Sequence, residues 1–386
     1  MSSQKLAMKV NSIRNHNIKV IMSFLYKKPY SCLELSKKIG ISDVGVRKII
    51  RELEELNFVK VSREKSAVKT RGNQHIRYTA NKEMGLFAFV DYTQRKERFY
   101  LLDFAGNILI SEKFTPPEVY ASIEEIEDLA KSFKKAIKDK GLSSKRILHL
   151  VVGLTGQMDE TNRRLVFSKL FQNFMGERSD EIYTVFEKAF GCNVTIKNNV
   201  ALMAMGEASE GEKKEYTMSV FVYAGFGIST TIMYNGEPLM ASRGYAGEIG
   251  GNQMGFAQTL SKSCSLTSLV KICAEHLEER TFEGLIKAYK EKAEVKELVL
   301  NSAKSFARAL SDYLVCLGAD RVILSGEVLE FGQEYLKILE APITSTMYNT
   351  NFSIAKAVNP FVLGALKVAR EQYTLQVIEE RDSKAE

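Results

Sequence analysis

Apolar and polar positions change their rhythm twice along the chain. Residues 6–28 carry an amphipathic helical pattern that stops near Pro29, whose missing N–H makes it a natural boundary. The next stretch, SCLELSKKIGISDVGVRKIIRELEEL (31–56), predicts two short helices around a tight turn. Ser31 and Glu34 have capping-box spacing, Gly40 suits a left-handed helix end, and Ser42 suits an N-cap for the second helix. On that second helix Val46, Ile49, Ile50, Leu53 and Leu56 recur at helical spacing and form one apolar face. Phe58–Val61 then alternates as a strand, and Gln74–Tyr78 answers it. The pattern predicts a winged helix-turn-helix over residues 1–80, with the basic loop SREKSAVKTRGN as its wing.

From Gly85 the rhythm is that of an α/β body. Strands are expected at 86–90, 99–103, 108–111, 147–153, 194–197, 218–223, 228–234 and 321–324. Between them lie helices at about 123–140, 180–190 and 199–209, others between 264 and 317, and a last one from 361 to 373. Two successive sections of sheet plus helix predict two subdomains with a cleft between them, over 81–197 and 198–359. The C-terminal helix (360–377) rejoins the first. The charged end of the chain, 378–386, is expected to fray.

Charge sharpens this division. Residues 1–80 hold 17 Lys and Arg against 6 Asp and Glu, leaving 37 against 41 in the remainder, so a basic head sits on a slightly acidic body. That distribution fits a polyanion-binding module joined to something else. Val44, Arg47, Lys48 and Arg51 project opposite the apolar face of the second helix. With Ser42 and Asp43 at its start, they make it a candidate major-groove reader. Arg71-Gly72 places a guanidinium beside a residue that permits close backbone approach, a candidate minor-groove contact. A solvated amphipathic helix and a basic hairpin loop are the structural alternatives. The five cysteines (32, 192, 264, 273, 316) are scattered, which fits reduced thiols rather than a disulfide framework. With no signal-peptide core and no membrane-length apolar run, a cytoplasmic protein is expected.

Five further segments carry a resemblance: Val152-Gly153-Leu154-Thr155-Gly156 with Asp159; Ile196-Lys197-Asn198-Asn199-Val200-Ala201 running into Met205-Gly206-Glu207; Ala224-Gly225-Phe226-Gly227-Ile228; Gly244-Tyr245-Ala246-Gly247-Glu248-Ile249-Gly250; and Val322-Ile323-Leu324-Ser325-Gly326. In this order, behind a winged helix, they resemble the ROK family of repressors, open reading frames and kinases over nearly the whole chain. The resemblance implies an actin-like ATPase (ribonuclease H-like) body. It also implies a sugar-type ligand held by Asn198, Asn199 and Glu248. Asn199 has the alternative role of capping the next helix.

The departures from the kinase pattern are specific. Where the kinases carry Asp-x-Gly-Gly-Thr, this chain has Asp91-Tyr92-Thr93-Gln94-Arg95, so side chains occupy space that phosphates need. The second phosphate element is reduced to Gly225-Phe226-Gly227, and Gly326 is followed by the carboxylate of Glu327. The Asn-Asp pair that supplies the catalytic base is Asn198-Asn199 here. An amide has no useful basicity. The zinc ligands of the family are missing: Gly251 stands in place of the His, and only Cys264 and Cys273 follow. No catalytic residue, metal or cofactor is therefore expected. The reading is a DNA-binding regulator, a repressor of carbohydrate-related genes, with an inactive body sensing a sugar or sugar phosphate. Its partners would be a double-stranded operator and a second copy of the chain, as homodimer or tetramer. The alternatives are a ligand-independent regulator whose cleft is filled by Tyr92, Phe226 and Tyr245, and a sugar kinase with an accessory DNA module.

Overall fold

A computed structural model describes residues 3–62, 76–210, 217–241, 244–251, 253–254, 258–345 and 349–385. The head comprises α1 (Ser3–Leu25), β1 (Tyr30–Ser31), α2 (Cys32–Ile39), α3 (Asp43–Glu55), β2 (Val59–Val61) and β3 (Arg77–Ala80). Its caps form as the sequence predicts. Ser31 N–H donates to Glu34 Oε2 at 2.8 Å while Glu34 N–H donates to Ser31 Oγ at 3.3 Å, and Gly40 ends α2 at φ +77°. Ser42 Oγ accepts from Gly45 N–H at 3.1 Å. The expected apolar face is buried: Val46, Ile49, Ile50 and Leu53 pack on Ile18, Ile21, Leu25 and Leu35. The strands form a small sheet in the order β1-β3-β2, and β1 was not evident in the sequence.

The body begins with β4 (Leu86–Asp91), β5 (Arg98–Asp103), β6 (Ile108–Lys113), α4 (Ile123–Asp139), β7 (Ile147–Leu154), the hairpin β8 (Gln157–Asp159) and β9 (Arg164–Phe167), α5 (Ser179–Phe190) and β10 (Asn193–Asn198). The connecting helix α6 (Asn199–Glu210) leads to β11 (Met218–Ala224), β12 (Ile228–Tyr234) and the short pairs β13 (Glu237–Pro238), β14 (Met240–Ala241), β15 (Gly244–Tyr245), β16 (Gln253–Met254) and β17 (Gln258–Thr259). After these come α7 (Leu260–Cys264), α8 (Leu266–Ile272), α9 (Phe282–Glu291), α10 (Ala293–Leu317), β18 (Arg321–Ser325), α11 (Gln333–Thr344), β19 (Asn351–Ile354) and α12 (Pro360–Ala385). Of these, α11 and β19 were not read from the sequence.

Both large sheets have one plan. The first runs β6-β5-β4-β7-β10 and the second β13-β12-β11-β18-β19, each an antiparallel meander continued by two parallel strands. Strands β4 and β7 are buried along their whole length, which is why they read as unbroken apolar runs. One face of each sheet carries its own core, with α4 and α5 on the first and α7 to α11 on the second. The other faces share a third core with α6, α12 and the head. Helices α6 and α12 meet at glycines: a Cβ on Gly206 would collide with Pro360 O, and one on Gly364 with Leu202 O.

The end of the chain corrects the expectation of a frayed tail. Helix α12 continues to Ala385, because Ile378 is buried and the charges beyond it have partners on the head. No helix among the described residues is long and apolar enough to cross a membrane.

Candidate functional site

The outer face of α3 is set by its buried face. Val44 is 77 % exposed, and Arg47, Lys48 and Arg51 are exposed beside it. Arg47 Nε donates to Asp43 Oδ2 at 2.7 Å, one turn back, so Asp43 orients the guanidinium, while its buried Oδ1 has no partner among the described residues. Ser42 spends its hydroxyl as the N-cap. Arg71 and Gly72 lie outside the described residues.

The back of α3 is tied to the body. Glu52 accepts from Arg14 of α1 and lies 2.8 Å from Arg381 of α12, while Arg14 also lies 3.3 Å from Asp382. Aromatic packing continues the joint: Phe58 against Phe104 and Tyr373, and Tyr26 against Phe104, with the Arg370 guanidinium 3.6 Å from the Tyr26 ring centre. Helix α12 therefore touches both the head and the glycine crossing with α6. None of these partners is local in sequence.

At the junction of β10 and α6 the two asparagines divide their roles. Asn198 is the cap: its Oδ1 accepts from the N–H groups of Val200 (2.8 Å) and Ala201 (3.0 Å), and its Nδ2 donates to Gly156 O at 2.8 Å. Asn199, the first residue of α6, is buried, and its Nδ2 donates to Thr93 Oγ1 at 3.0 Å. The Thr93 hydroxyl in turn donates to Asp91 Oδ1 at 2.6 Å. Asn199 Oδ1 has no partner among the described residues. Burial pushes the Asp91 carboxyl up to about 7, against the opposing hydrogen bonds from Thr93. In the second subdomain, Glu248 accepts from Ser229 Oγ at 3.1 Å, and burial raises its carboxyl above the ordinary range. Its loop starts at β15, which packs on β8, the strand just after Gly156. Asn198 and Asn199 thus stand at the start of α6 and Glu248 on the loop after β15, with Asn198 committed to the backbone.

The segments that depart from the kinase pattern are bridged by the chain's own side chains. The turn after β4 keeps a glycine-like shape, with Arg95 at φ +63° and Lys96 N–H donating to Thr93 O at 2.8 Å. A left-handed Arg costs on the order of 1 kcal/mol, yet it aims two cations at the second subdomain. Arg95 stacks over Phe226, 4.3 Å from the ring centre, and lies 3.9 Å from Glu283. Lys96 Nζ lies 2.6 Å from Glu327 Oε1, and Tyr223 Oη donates to Glu327 Oε2 at 2.9 Å. That carboxylate lies so close over Gly225 that a Cβ there would collide with it. Glu327 and Lys96 are the residues whose role sequence reasoning missed. Tyr92 does not fill the cleft: it is buried in the first core against Phe114, Tyr120 and Phe171. Nothing is described of the Tyr245 side chain. Cys264 and Cys273 are buried in the second core.

Comparison with known proteins agrees with this fold. The ROK family model matches residues 88–364. The xylose repressor of Caldicellulosiruptor bescii is 21 % identical over 376 residues, covering 87 % of this chain and 90 % of that one. Among solved structures, a ROK family transcriptional regulator, a homologue of the E. coli MLC protein, superposes with a TM-score of 0.77. It is 17 % identical and covers 95 % of this chain and 99 % of its own. The ROK hexokinase of Thermus thermophilus superposes at 0.57 with 18 % identity, over 75 % of this chain and 99 % of its own.

Proposed function

The chain belongs to the ROK family, and from that premise we propose that it is a sugar-responsive transcriptional repressor with no phosphotransfer activity. The observation that carries this reading is the pairing of an exposed cationic helix face on the head with the Lys96–Glu327 and Arg95–Phe226 contacts, which bridge the segments that resemble the kinases' phosphate elements. Arg47, Lys48, Arg51 and Val44 read the major groove of an operator, and Arg71-Gly72 of the wing adds a minor-groove contact. Two heads of a homodimer span half-sites a helical turn or a multiple apart.

A free sugar bound between Asn199 and Glu248 is the effector. Asn199 presents an amide oxygen and Glu248 a carboxylate, both suited to accept from sugar hydroxyls. Binding favours one arrangement of the two subdomains, and α12 carries the difference to the head. The size of the response equals the difference in affinity of the sugar for the two arrangements. The likeness to a named xylose repressor makes xylose the first sugar to test. Titrating xylose into a complex of the full chain with its retained DNA is expected to release the DNA. Failure of every pentose and hexose to do so would reject the effector role.

A further inference from the structure

The chain passes between its two large sheets twice. Helix α6 carries it from β10 to β11, and residues 355–359 carry it from β19 to α12, which packs on β4 and β7 of the first sheet. One side chain ties the two passages together. Glu207, in the last turn of α6 and 4 % exposed, accepts from Lys356 N–H with Oε1 and from Ala357 N–H with Oε2, each at 2.9 Å. A buried carboxylate needs such partners, and two backbone donors on its two oxygens make charge-assisted bonds of fixed direction. Among the described residues these amides have no other partner.

The neighbours of the two amides are held by the subdomains themselves. Ala355 N–H still donates to Leu324 O of the second sheet at 2.9 Å, and Asn359 Oδ1 accepts from Val362 N–H at 3.3 Å at the start of α12. Lys356, Ala357 and the fully exposed Val358 are therefore the slack in the connection. Unheld, such a segment absorbs a displacement of the second sheet in its own φ and ψ. Held by Glu207, it moves with α6. The displacement then passes to Pro360, whose carbonyl leaves no room for a Cβ on Gly206, the residue before Glu207. From there α12 runs to Arg381 beside Glu52 of the head. We infer that Glu207 is a positioning residue for the regulatory response: it clasps the two passages, so that the second subdomain, which carries Glu248, and the head act on each other through α12. This deepens the repressor reading and rests on the head's binding DNA.

The test is hydrogen exchange across the full chain, free and bound to the DNA fragments it retains. In the wild type, DNA is expected to slow exchange in the head and to change it about threefold or more in residues 244–251 of the second subdomain. Glu207→Gln presents one acceptor oxygen in place of two. Its DNA affinity is expected to stay within about threefold of wild type, with the head still protected, while the response of residues 244–251 disappears. Ala357→Pro removes one of the two donors and is expected to lose the same response, standing alone should Glu207→Gln fail to fold. Leu310→Ala, a cavity in the second core, is the destabilised control and is expected to keep it. A wild-type response in either clasp variant, its loss in Leu310→Ala as well, or a wild-type response confined to the head would overturn the inference and leave the DNA reading standing. A wild type that retains no DNA would reject that reading and the inference with it.

Discussion

Lys96 Nζ lies 2.6 Å from Glu327 Oε1, an ion pair that crosses from the turn after β4 to the residue following Gly326, just past β18, and so joins two segments in which the sequence departs from the kinase pattern. Glu327 is 8 % exposed at its side chain and Lys96 56 %, so the carboxylate is the desolvated partner. A triphosphate would have to displace that carboxylate or share its space. Restoring the catalytic carboxylate alone, by Asn199→Asp, is therefore expected to leave ATP-dependent sugar phosphorylation undetectable in a coupled assay. Turnover by that variant would show that the cradle is open.

Removing the anion has a stability cost that can be measured separately. Glu327→Ala leaves the Tyr223 hydroxyl and the Lys96 ammonium without their shared partner and is expected to destabilise the fold by about 1–3 kcal/mol in urea. An unchanged denaturation midpoint would mean that the bridge contributes nothing in solution.

Asp91 gives a pH dependence. Its carboxyl is held at about 7 by burial, well above its unfolded value near 4. The folded state thus binds the proton more tightly. The contribution is favourable at low pH, falls as pH rises from about 4 to 7, and is lost above that. Asp91→Asn keeps an acceptor for Thr93 and removes the titration. Its melting temperature is expected to exceed that of the wild type at pH 8, by an amount on the order of a few kcal/mol in stability, and to converge with it near pH 4. Parallel melting curves at the two pH values would contradict the buried, titrating carboxylate.

The glycine crossing makes a paired comparison. Gly364→Ala pushes a Cβ into the backbone of Leu202 and is expected to cost on the order of 3 kcal/mol by forcing α6 and α12 apart. Gly227→Ala meets nothing within 4 Å and is expected to stay within about 0.5 kcal/mol of wild type. Equal effects at the two positions would deny the close crossing.

The joint between α12 and α3 is testable through DNA. Arg14→Ala/Arg381→Ala leaves the exposed side chains of α3 intact and removes the cations around Glu52. Operator affinity is expected to fall about three- to tenfold, roughly 1 kcal/mol, with sugar binding unchanged. Operator affinity equal to wild type would leave α12 with a packing role only.

Local physics made the head legible. The reciprocal Ser31–Glu34 bonds, the left-handed Gly40 and the apolar face of α3 depend on residues within a few positions of each other, so spacing was enough to place them. What spacing could not supply was distant partners. The charges after Gln376 read as a solvated tail because nothing in sequence shows Glu52 waiting for Arg381. Tyr92 read as a cleft filler because its true neighbours, Phe114, Tyr120 and Phe171, lie 22 to 79 positions away. Capping by Asn198 rather than Asn199 turns on a one-residue difference in where the helix begins, a boundary finer than sequence pattern resolves. Glu327 was visible as a poor neighbour for phosphate, but its capture by Lys96 and Tyr223 needed coordinates.

The most direct measurement sequences the genomic DNA fragments retained by the full chain and by its Arg47→Ala/Arg51→Ala variant at one salt concentration. The wild type is expected to enrich a small set of discrete sites, each with paired half-sites, and the variant to lose them while remaining folded. The same sites held equally by both proteins, or no enriched site for the wild type, would contradict a head built to read DNA.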